Sequence, residues 1–471
     1  MASPGITIVA GTDLPYHFLY GALPNYALVA IDQELSYKPS GYDRTDSYLK
    51  GEWDGRVQLF KQSKSGRSWY FPSGLLSKVT GVLDIFGVTY TVQKTPDQDY
   101  DPQGFEWVSP LSLRNYQVDA VKAIFDAKGG VVSLPTGGGK TLVALRLIQM
   151  FDRPTIILVH TKELLYQWKD EIKKHIGVDA GLVGDGNREW KVVTVAMLQT
   201  LGAMIRKGDL QRLEYGMLLI DETHRISADV AYNIAMRCTA RIRVGVSATP
   251  RRTDNRDLKI FAATGPLACN LTPCDLIKAG YLARPKLTMI SVGGSPMYFS
   301  QDWQKEYVAH IVTNDERNQR IVDEVVRLVR DGKQTYIHVE RVAHMDLLYN
   351  LIVKEVAPAK VARIWGKVKT ADRQKMLKRF ESGSLNVLIG TILKEGVNLP
   401  AMDAIVLAGG LSSPVALVQK VGRALRRNER FDYAEIIDFV DNCGRFCKKH
   451  SELRYQAFME YYGDCIEVRK A

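Results

Sequence analysis

The chain of 471 residues lacks any apolar run near the ~18 residues that a membrane-spanning helix requires. Its first residues lack a basic segment followed by a long apolar one, so no secretory signal is read there. A cytoplasmic protein is expected. Cysteine is scarce, with 6 in the chain. Cys443, Cys447 and His450 lie close together, but no paired C-x-x-C ladder accompanies them, so they are not read as a zinc site. All six are expected as buried or free thiols. Long internal repeats are absent, and so is any appended nuclease or methyltransferase pattern. Acid is in deficit: 63 Lys and Arg against 52 Asp and Glu give a formal charge of +11. That surplus favours a polyanionic partner, because each phosphate contact releases condensed counterions.

What remains is an ordinary globular composition, 46% apolar and 24% charged. The length suggests roughly two to four domains. Residues 1–108 are rich in Tyr, Gly and Asp and carry few helical periods. "RVQLF", "SWYF" and "VTYTVQ" read as short strands between polar turns, and "QKTPDQDYDPQG" as a linker or exposed loop. From residue 109 strands and helices alternate. "GGVVSLP", "TIILV" and "YGMLLID" are buried strands; "KTLVALRLIQMF" and "KELLYQWKDEIKK" are helices, the latter with Leu164, Trp168 and Ile172 in register. The rhythm resumes after about residue 285 with the helices "NQRIVDEVVRLVRDGK" and "SPVALVQKVGRALRR" and the strands "TYIHV", "NVLIGT", "DAIVLAG" and "AEIIDFV". The expected class is α/β. It has two tandem parallel-sheet domains, residues 109–280 and 281–471, preceded by a small β-rich accessory domain, residues 1–108.

"SLPTGGGKT" offers a strand, a tight glycine turn and a helix start. Backbone N–H groups there surround an anion, and the helix dipole favours it. Pro135 and Thr136 lead into Gly137, Gly138 and Gly139. Lys140 can reach the β- and γ-phosphates of a nucleotide, and Thr141 can ligate Mg²⁺. The alternative is a glycine-rich turn with no ligand. About 80 residues on, "LLIDETH" puts Asp221 at a strand's carboxyl end, where it can hold Mg²⁺, with Glu222 beside it as general base for water. Arg423 and Arg426 in "QKVGRALRR" share a helix face and suit a transition-state phosphate. Spacing alone does not separate that role from a solvated basic face.

The strings "LRNYQ", "PTGGGKT", "DETH", "SATP", "GTILKEGVNLP" and "QKVGRALR" occur in this order across more than 300 residues. The series resembles the motifs of superfamily 2 helicases and translocases, whose phosphate loop commonly has a non-glycine residue where Leu134 stands. The resemblance implies two RecA-like domains and use of ATP with Mg²⁺. Arg114 and Gln117 would meet the adenine. His224, Ser247 and Thr249 would couple ATP state to domain closure. Glu395 and Gly396 would line the nucleotide cleft from the second domain, and Gln419, Arg423 and Arg426 would reach the γ-phosphate. His160, Thr161, Thr194 and Thr391 would meet nucleic-acid phosphates. For Thr161 and Thr194 a helix-cap or strand role is an equal alternative.

Within the superfamily, "SATPRRTDN", "LIKAGYLARP", "NDERNQRI" and "IIDFVD...KHSELRYQAFMEYYG" resemble the phage UvsW-type recombination helicases, and more distantly RecG and XPB. That resemblance implies a monomeric, ATP-driven enzyme working on forked, junction or partly single-stranded DNA, with replication or recombination proteins as further partners. In the accessory domain Trp53, Arg56, Lys61, Arg67, Trp69 and Tyr70 would contact DNA or, equally, fill a small core. Two other readings stand beside it: a double-strand translocase that separates no strands, and an RNA helicase.

Overall fold

The structure is a computed structural model that describes residues 5–11, 15–39, 41–93, 100–223, 229–248, 257–293, 302–391, 402–410, 417, 421–422, 431 and 433–471. Two compact units are present: Met1–Leu134 with Gly139–Asn270, and Pro135–Gly138 with Leu271–Ala471.

The first unit opens with a five-stranded sheet in the order Lys61–Gln62, Trp69–Pro72, Tyr16–Tyr20, Ile6–Ala10, Tyr90–Gln93. The expected strands at Val57–Gln58, Trp69–Pro72 and Tyr90–Gln93 are present. Two ten-residue helices, Asn25–Glu34 and Leu76–Ile85, add to what the sequence suggests. Their buried stripes are thin, Ala27 and Ile31 on one, Val79 and Leu83 on the other, each a single i,i+4 pair. Trp69 stacks on Phe60 at 4.8 Å, and the Arg56 guanidinium pairs with Asp32 at 3.0 Å. Trp69 packs against a core that includes Ile8, Leu19, Phe71 and Leu75, and the Arg56–Asp32 pair lies part-exposed at its edge. That core also takes in Leu258 and Ala262, which belong to the helix Asp257–Thr264.

The same unit contains an eight-stranded sheet. Its order is Asn187–Arg188, Gly181–Gly184, Val193–Met197, Thr155–Val159, Met217–Asp221, Ile242–Ser247, Gly129–Ser133, Leu267–Asn270. All pairings are parallel except that of the first two strands. Strands buried on both faces need continuous apolar sequence, and all five residues of Thr155–Val159 are buried. The helices Asn115–Ala127, Lys140–Phe151 and Lys162–Ile176 connect or flank these strands. Asp152, with φ +51, closes the Lys140 helix and accepts the N–H groups of Phe105 (2.8 Å) and Gly104 (3.1 Å). The chain entering from the accessory domain is thereby pinned beside that helix.

The second unit is a seven-stranded sheet in the order Val361–Ile364, Val387–Gly390, Thr335–His338, Ala404–Leu407, Tyr433–Asp441, Arg284–Val292, Glu467–Lys470. Every pairing in it is parallel. Its core contains charge. Arg317 pairs with Asp441 at 2.8 Å, and Arg454 with Asp438 at 2.9 Å; all four side chains are buried. Arg317 also donates to the Ala408 carbonyl at 2.8 Å and lies 4.8 Å from the Phe439 ring. Buried ions are tolerated only when paired and hydrogen-bonded, and here "NDERNQRI" is tied to "IIDFVD" in that way.

Cysteine corrects one expectation. Cys274 and Cys465, 191 residues apart, form a disulfide, while Cys238, Cys269, Cys443 and Cys447 are free thiols. The bond joins the helix Pro273–Lys278 to the turn before the last strand. No helix among the described residues is long and apolar enough to cross a membrane.

Candidate nucleotide-binding site and strand-contact segments

The glycine loop leaves the strand Gly129–Ser133 at Leu134, which is fully buried. The residue that departs from the general phosphate-loop pattern is thus an apolar anchor. Its N–H donates to the Ser247 carbonyl at 3.0 Å, which fixes the loop's start against the "SATP" strand end. Gly138 N–H closes a turn onto the Pro135 carbonyl at 2.9 Å. Gly137 (φ +85) and Gly139 (φ +77) adopt the left-handed conformation that glycine takes without penalty. Lys140 then begins a twelve-residue helix, whose first N–H groups have no partner within the helix. Lys140 Nζ reaches back to the Leu134 carbonyl at 3.4 Å, across the loop. Thr141 follows it, half-buried.

Gln117 is buried, and its amide lies against Gly139. A Cβ on Gly139 would come 2.2 Å from Gln117 Nε2. Gln117 Oε1 accepts the Arg114 N–H at 2.9 Å, so this amide also starts its own helix. Of the two residues expected to meet adenine, Gln117 therefore lies against the glycine loop, and Arg114 is joined to it through its backbone N–H.

Asp221 ends the strand Met217–Asp221. Its Oδ2 accepts the indole N–H of Trp168 at 2.9 Å, and its Oδ1 accepts the Glu222 N–H at 2.9 Å. Burial, then the neighbouring Glu222 charge, raises the Asp221 carboxyl to about 6; the Trp168 hydrogen bond and the charges of Lys140 and His160 pull the other way. Glu222 takes a left-handed φ of +52, an uncommon conformation outside glycine that concentrates at functional sites. It aims the Glu222 N–H at Asp221.

Thr223 is a functional candidate that sequence reasoning missed. Its hydroxyl, fully buried, donates to the Val246 carbonyl at 2.9 Å. Its side chain fills the space where a Cβ on Gly245 would lie, at 2.8 Å. Thr223 thus locks "DET" onto the strand Ile242–Ser247, whose last residue, Ser247, is buried. Trp168 was legible as an apolar position, not as a donor to Asp221. His224, Thr249, Glu395, Gly396, Gln419, Arg423 and Arg426 lie outside the described residues.

The strand-contact candidates divide. His160 follows the strand Thr155–Val159, and its carbonyl is braced by Gln199 at 2.8 Å. Thr161 caps the Lys162–Ile176 helix, its hydroxyl accepting the Leu164 N–H at 3.2 Å. That oxygen still has a proton to donate. Thr391 is half-buried just past Val387–Gly390. Thr194 is corrected. It is fully buried, and its hydroxyl bonds the Lys191 carbonyl (2.7 Å), the Lys191 N–H (2.9 Å) and the Tyr215 hydroxyl (2.9 Å). Those partners exhaust its capacity, so it braces the strand and leaves nothing for a phosphate.

Residues 110–252 match the family "Type III restriction enzyme, res subunit", and residues 316–428 match "Helicase conserved C-terminal domain". The chain belongs to the superfamily 2 helicases, enzymes that hydrolyse ATP to act on nucleic acid.

Among its relatives is the DNA 3'-5' translocase XPB2 of Sulfurisphaera tokodaii, 25% identical over 360 residues, covering 68% of this chain and 80% of that protein. The ATP-dependent DNA helicase uvsW of Enterobacteria phage T4 is 22% identical over 442 residues, 87% of this chain and 86% of its own. Some relatives are longer: the chain spans about half the length of the Rad25 helicases of Halobacterium salinarum and Haloarcula marismortui. In fold, a fragment of a type I restriction enzyme HsdR subunit from Vibrio vulnificus YJ016 aligns over 100% of this chain and 93% of its own. Its TM-score is 0.56 and its identity 17%.

Proposed function

We propose that this chain is an ATP-dependent DNA motor that moves along and remodels branched DNA, by unwinding or regressing forks or by migrating junctions. The observation that carries the reading is the Asp221 carboxylate, held at its strand end beside the glycine loop and within the field of Lys140. A buried carboxylate with a raised affinity for protons is suited to a divalent cation. Thr141 and Asp221 would hold Mg²⁺, which supplies charge neutralisation at the phosphates when bound. Lys140 and the N–H groups of the glycine loop orient the phosphates. Glu222, beside Asp221, would take a proton from the attacking water as the water oxygen bonds to the γ-phosphorus and the bond from that phosphorus to the β,γ-bridging oxygen breaks, leaving phosphate and ADP. Arg114 and Gln117 hold the base.

The domains are proposed as 1–108, 109–280 and 281–471. The second motor domain would complete the site with Glu395, Gly396, Gln419, Arg423 and Arg426, and His224, Ser247 and Thr249 would relay nucleotide state. DNA would lie against His160, Thr161 and Thr391, read through its backbone without base specificity. The 3'-5' label on several relatives supports that polarity here, and the phage relative supports the branched substrate. Such a motor works in the cytoplasm where its DNA is, as a monomer.

ATP hydrolysis and strand displacement, measured together on single strands, plain duplex, forks, four-way junctions and RNA, test the reading. Hydrolysis stimulated by forks and junctions, with displacement, is expected. A second reading, a double-strand translocase, is supported by the translocase named among the relatives; it predicts stimulation by duplex with no displacement on any substrate. Stimulation by RNA alone overturns the DNA assignment.

A further inference from the structure

Asp221 is gripped from outside its own motif. The indole N–H of Trp168 donates to Asp221 Oδ2 at 2.9 Å, while the Glu222 N–H holds Oδ1. Each carboxylate oxygen therefore has one fixed donor, and the plane of the group is set. Trp168 is 2% exposed, and a polar N–H buried this deeply requires a partner. Here the partner is the carboxylate proposed to hold Mg²⁺.

Trp168 lies about two turns into the Lys162–Ile176 helix, whose cap is Thr161. His160 and Thr161 are the residues proposed to face DNA. The helix start and Asp221 are also neighbours in the sheet. The strands Met217–Asp221 and Thr155–Val159 pair in parallel, with Ile220 opposite Leu158, so Asp221 is level with Val159 and His160 is the next residue out of that strand. Leu164, Leu165, Trp168 and Ile172 bury the helix's inner face, so a displacement of its first turn by a bound strand would be carried along the helix to the indole.

We propose that Trp168 is a positioning residue that orients the Asp221 carboxylate and couples strand binding at His160 and Thr161 to the metal-nucleotide site. The inference rests on the reading of Asp221 as the metal-holding carboxylate. It adds a physical link that neither "HTKELLYQW" nor "DETH" contains alone. Partners behind a metal ligand typically contribute ~10–100-fold to affinity or activity.

The test separates the N–H from the ring. Trp168→Phe removes the donor and leaves a smaller ring. Benzothienylalanine at position 168 keeps the bicyclic shape and replaces the N–H with sulfur. For both and for the unaltered chain, equilibrium binding of a fluorescent non-hydrolysable ATP analogue is measured with and without Mg²⁺, and with and without saturating oligo(dT).

Both variants are expected to bind the analogue normally without Mg²⁺, because the glycine loop is intact. With Mg²⁺ they should bind ~10-fold more weakly than the unaltered chain. The change in nucleotide affinity caused by oligo(dT) should shrink towards none, and by reciprocity so should the effect of nucleotide on oligo(dT) affinity. Loss of binding in the Phe variant alone, with the benzothienyl variant behaving as the unaltered chain in both respects, assigns Trp168 to packing and overturns the proposal. Retained coupling in the benzothienyl variant, with weakened Mg²⁺-dependent binding, also overturns the coupling role. If the unaltered chain binds no nucleotide at all, the ATP reading itself is what fails.

Discussion

The amide of Gln117 occupies the space above Gly139 where any other residue would place its Cβ, with Nε2 only 2.2 Å from that point. Gly139 also has φ +77. The backbone conformation therefore favours glycine, and a larger residue would also have to push the Gln117 amide aside. Gly139→Ala should displace Gln117 and strain the loop at once. Nucleotide affinity is expected to fall at least ~10-fold, a loss of about 1.4 kcal/mol, with the thermal midpoint only slightly lowered. Equilibrium titration with an ATP analogue checks this. Unchanged affinity would show that Gln117 and Gly139 can separate freely.

The Thr223 hydroxyl joins two motifs through one hydrogen bond to Val246. Thr223→Val keeps the shape that fits against Gly245 and deletes the bond. The expected stability cost is about 1 kcal/mol. The larger effect should be on coupling: ATP turnover continues, while strand displacement per ATP falls. Paired hydrolysis and displacement assays read that ratio, and a proportional fall in both would assign Thr223 to stability alone.

Asp221 carries a pH signature. Its carboxyl is raised from 3.8 to about 6 in the folded chain, so the folded state binds this proton more tightly than the unfolded one. The stability from this group is present in full below about 3.8 and is lost as pH rises through about 6. Asp221→Asn should therefore raise the thermal midpoint of the metal-free protein at pH 7 while abolishing hydrolysis. In the wild-type chain hydrolysis should fall as pH drops through about 6 at low Mg²⁺, and excess Mg²⁺ should move that midpoint lower. Calorimetry of the metal-free protein and pH–rate profiles at two Mg²⁺ concentrations are the measurements.

Arg317 is buried between Asp441, the Ala408 carbonyl and the Phe439 ring. Arg317→Ala removes one side of a buried ion pair and should cost about 3–5 kcal/mol. Denaturant unfolding should register it as an early transition of the second unit. Arg317→Met, which keeps the volume, should recover part of the loss only when paired with Asp441→Asn.

The Cys274–Cys465 bond closes a span of 191 residues. Its removal should cost about 2–4 kcal/mol. A reductant should lower the thermal midpoint of the wild-type chain and leave that of a Cys274→Ser, Cys465→Ser double variant unchanged. Equal midpoints with and without reductant would mean that the thiols are not bonded in solution.

The parallel sheets were legible because their strands are continuous apolar runs and their helices carry clear periods. "TIILV" and "YGMLLID" appear where the pattern puts them. The accessory helices were harder, since two buried residues each make a weak stripe. The disulfide was illegible because pairing across 191 residues leaves no local trace. Thr223 and Trp168 hid for a different reason. Threonine reads as a spacer in "DETH", and tryptophan at an apolar position reads as core, although both act through a single polar hydrogen. Thr194 misled in the opposite direction: its motif position suggested a phosphate, and its neighbours Lys191 and Tyr215 had already taken its hydroxyl.

The helix Asp257–Thr264 lends Leu258 and Ala262 to the accessory core, and Gly74 is seated directly on its backbone, where a Cβ would strike the Phe261 carbonyl at 2.0 Å. Truncating the first 108 residues would therefore uncover an oily scar on the remaining enzyme, and poor behaviour of such a fragment would say little about DNA binding. The same seam predicts that the small N-terminal sheet and the helix Asp257–Thr264 move together as one body.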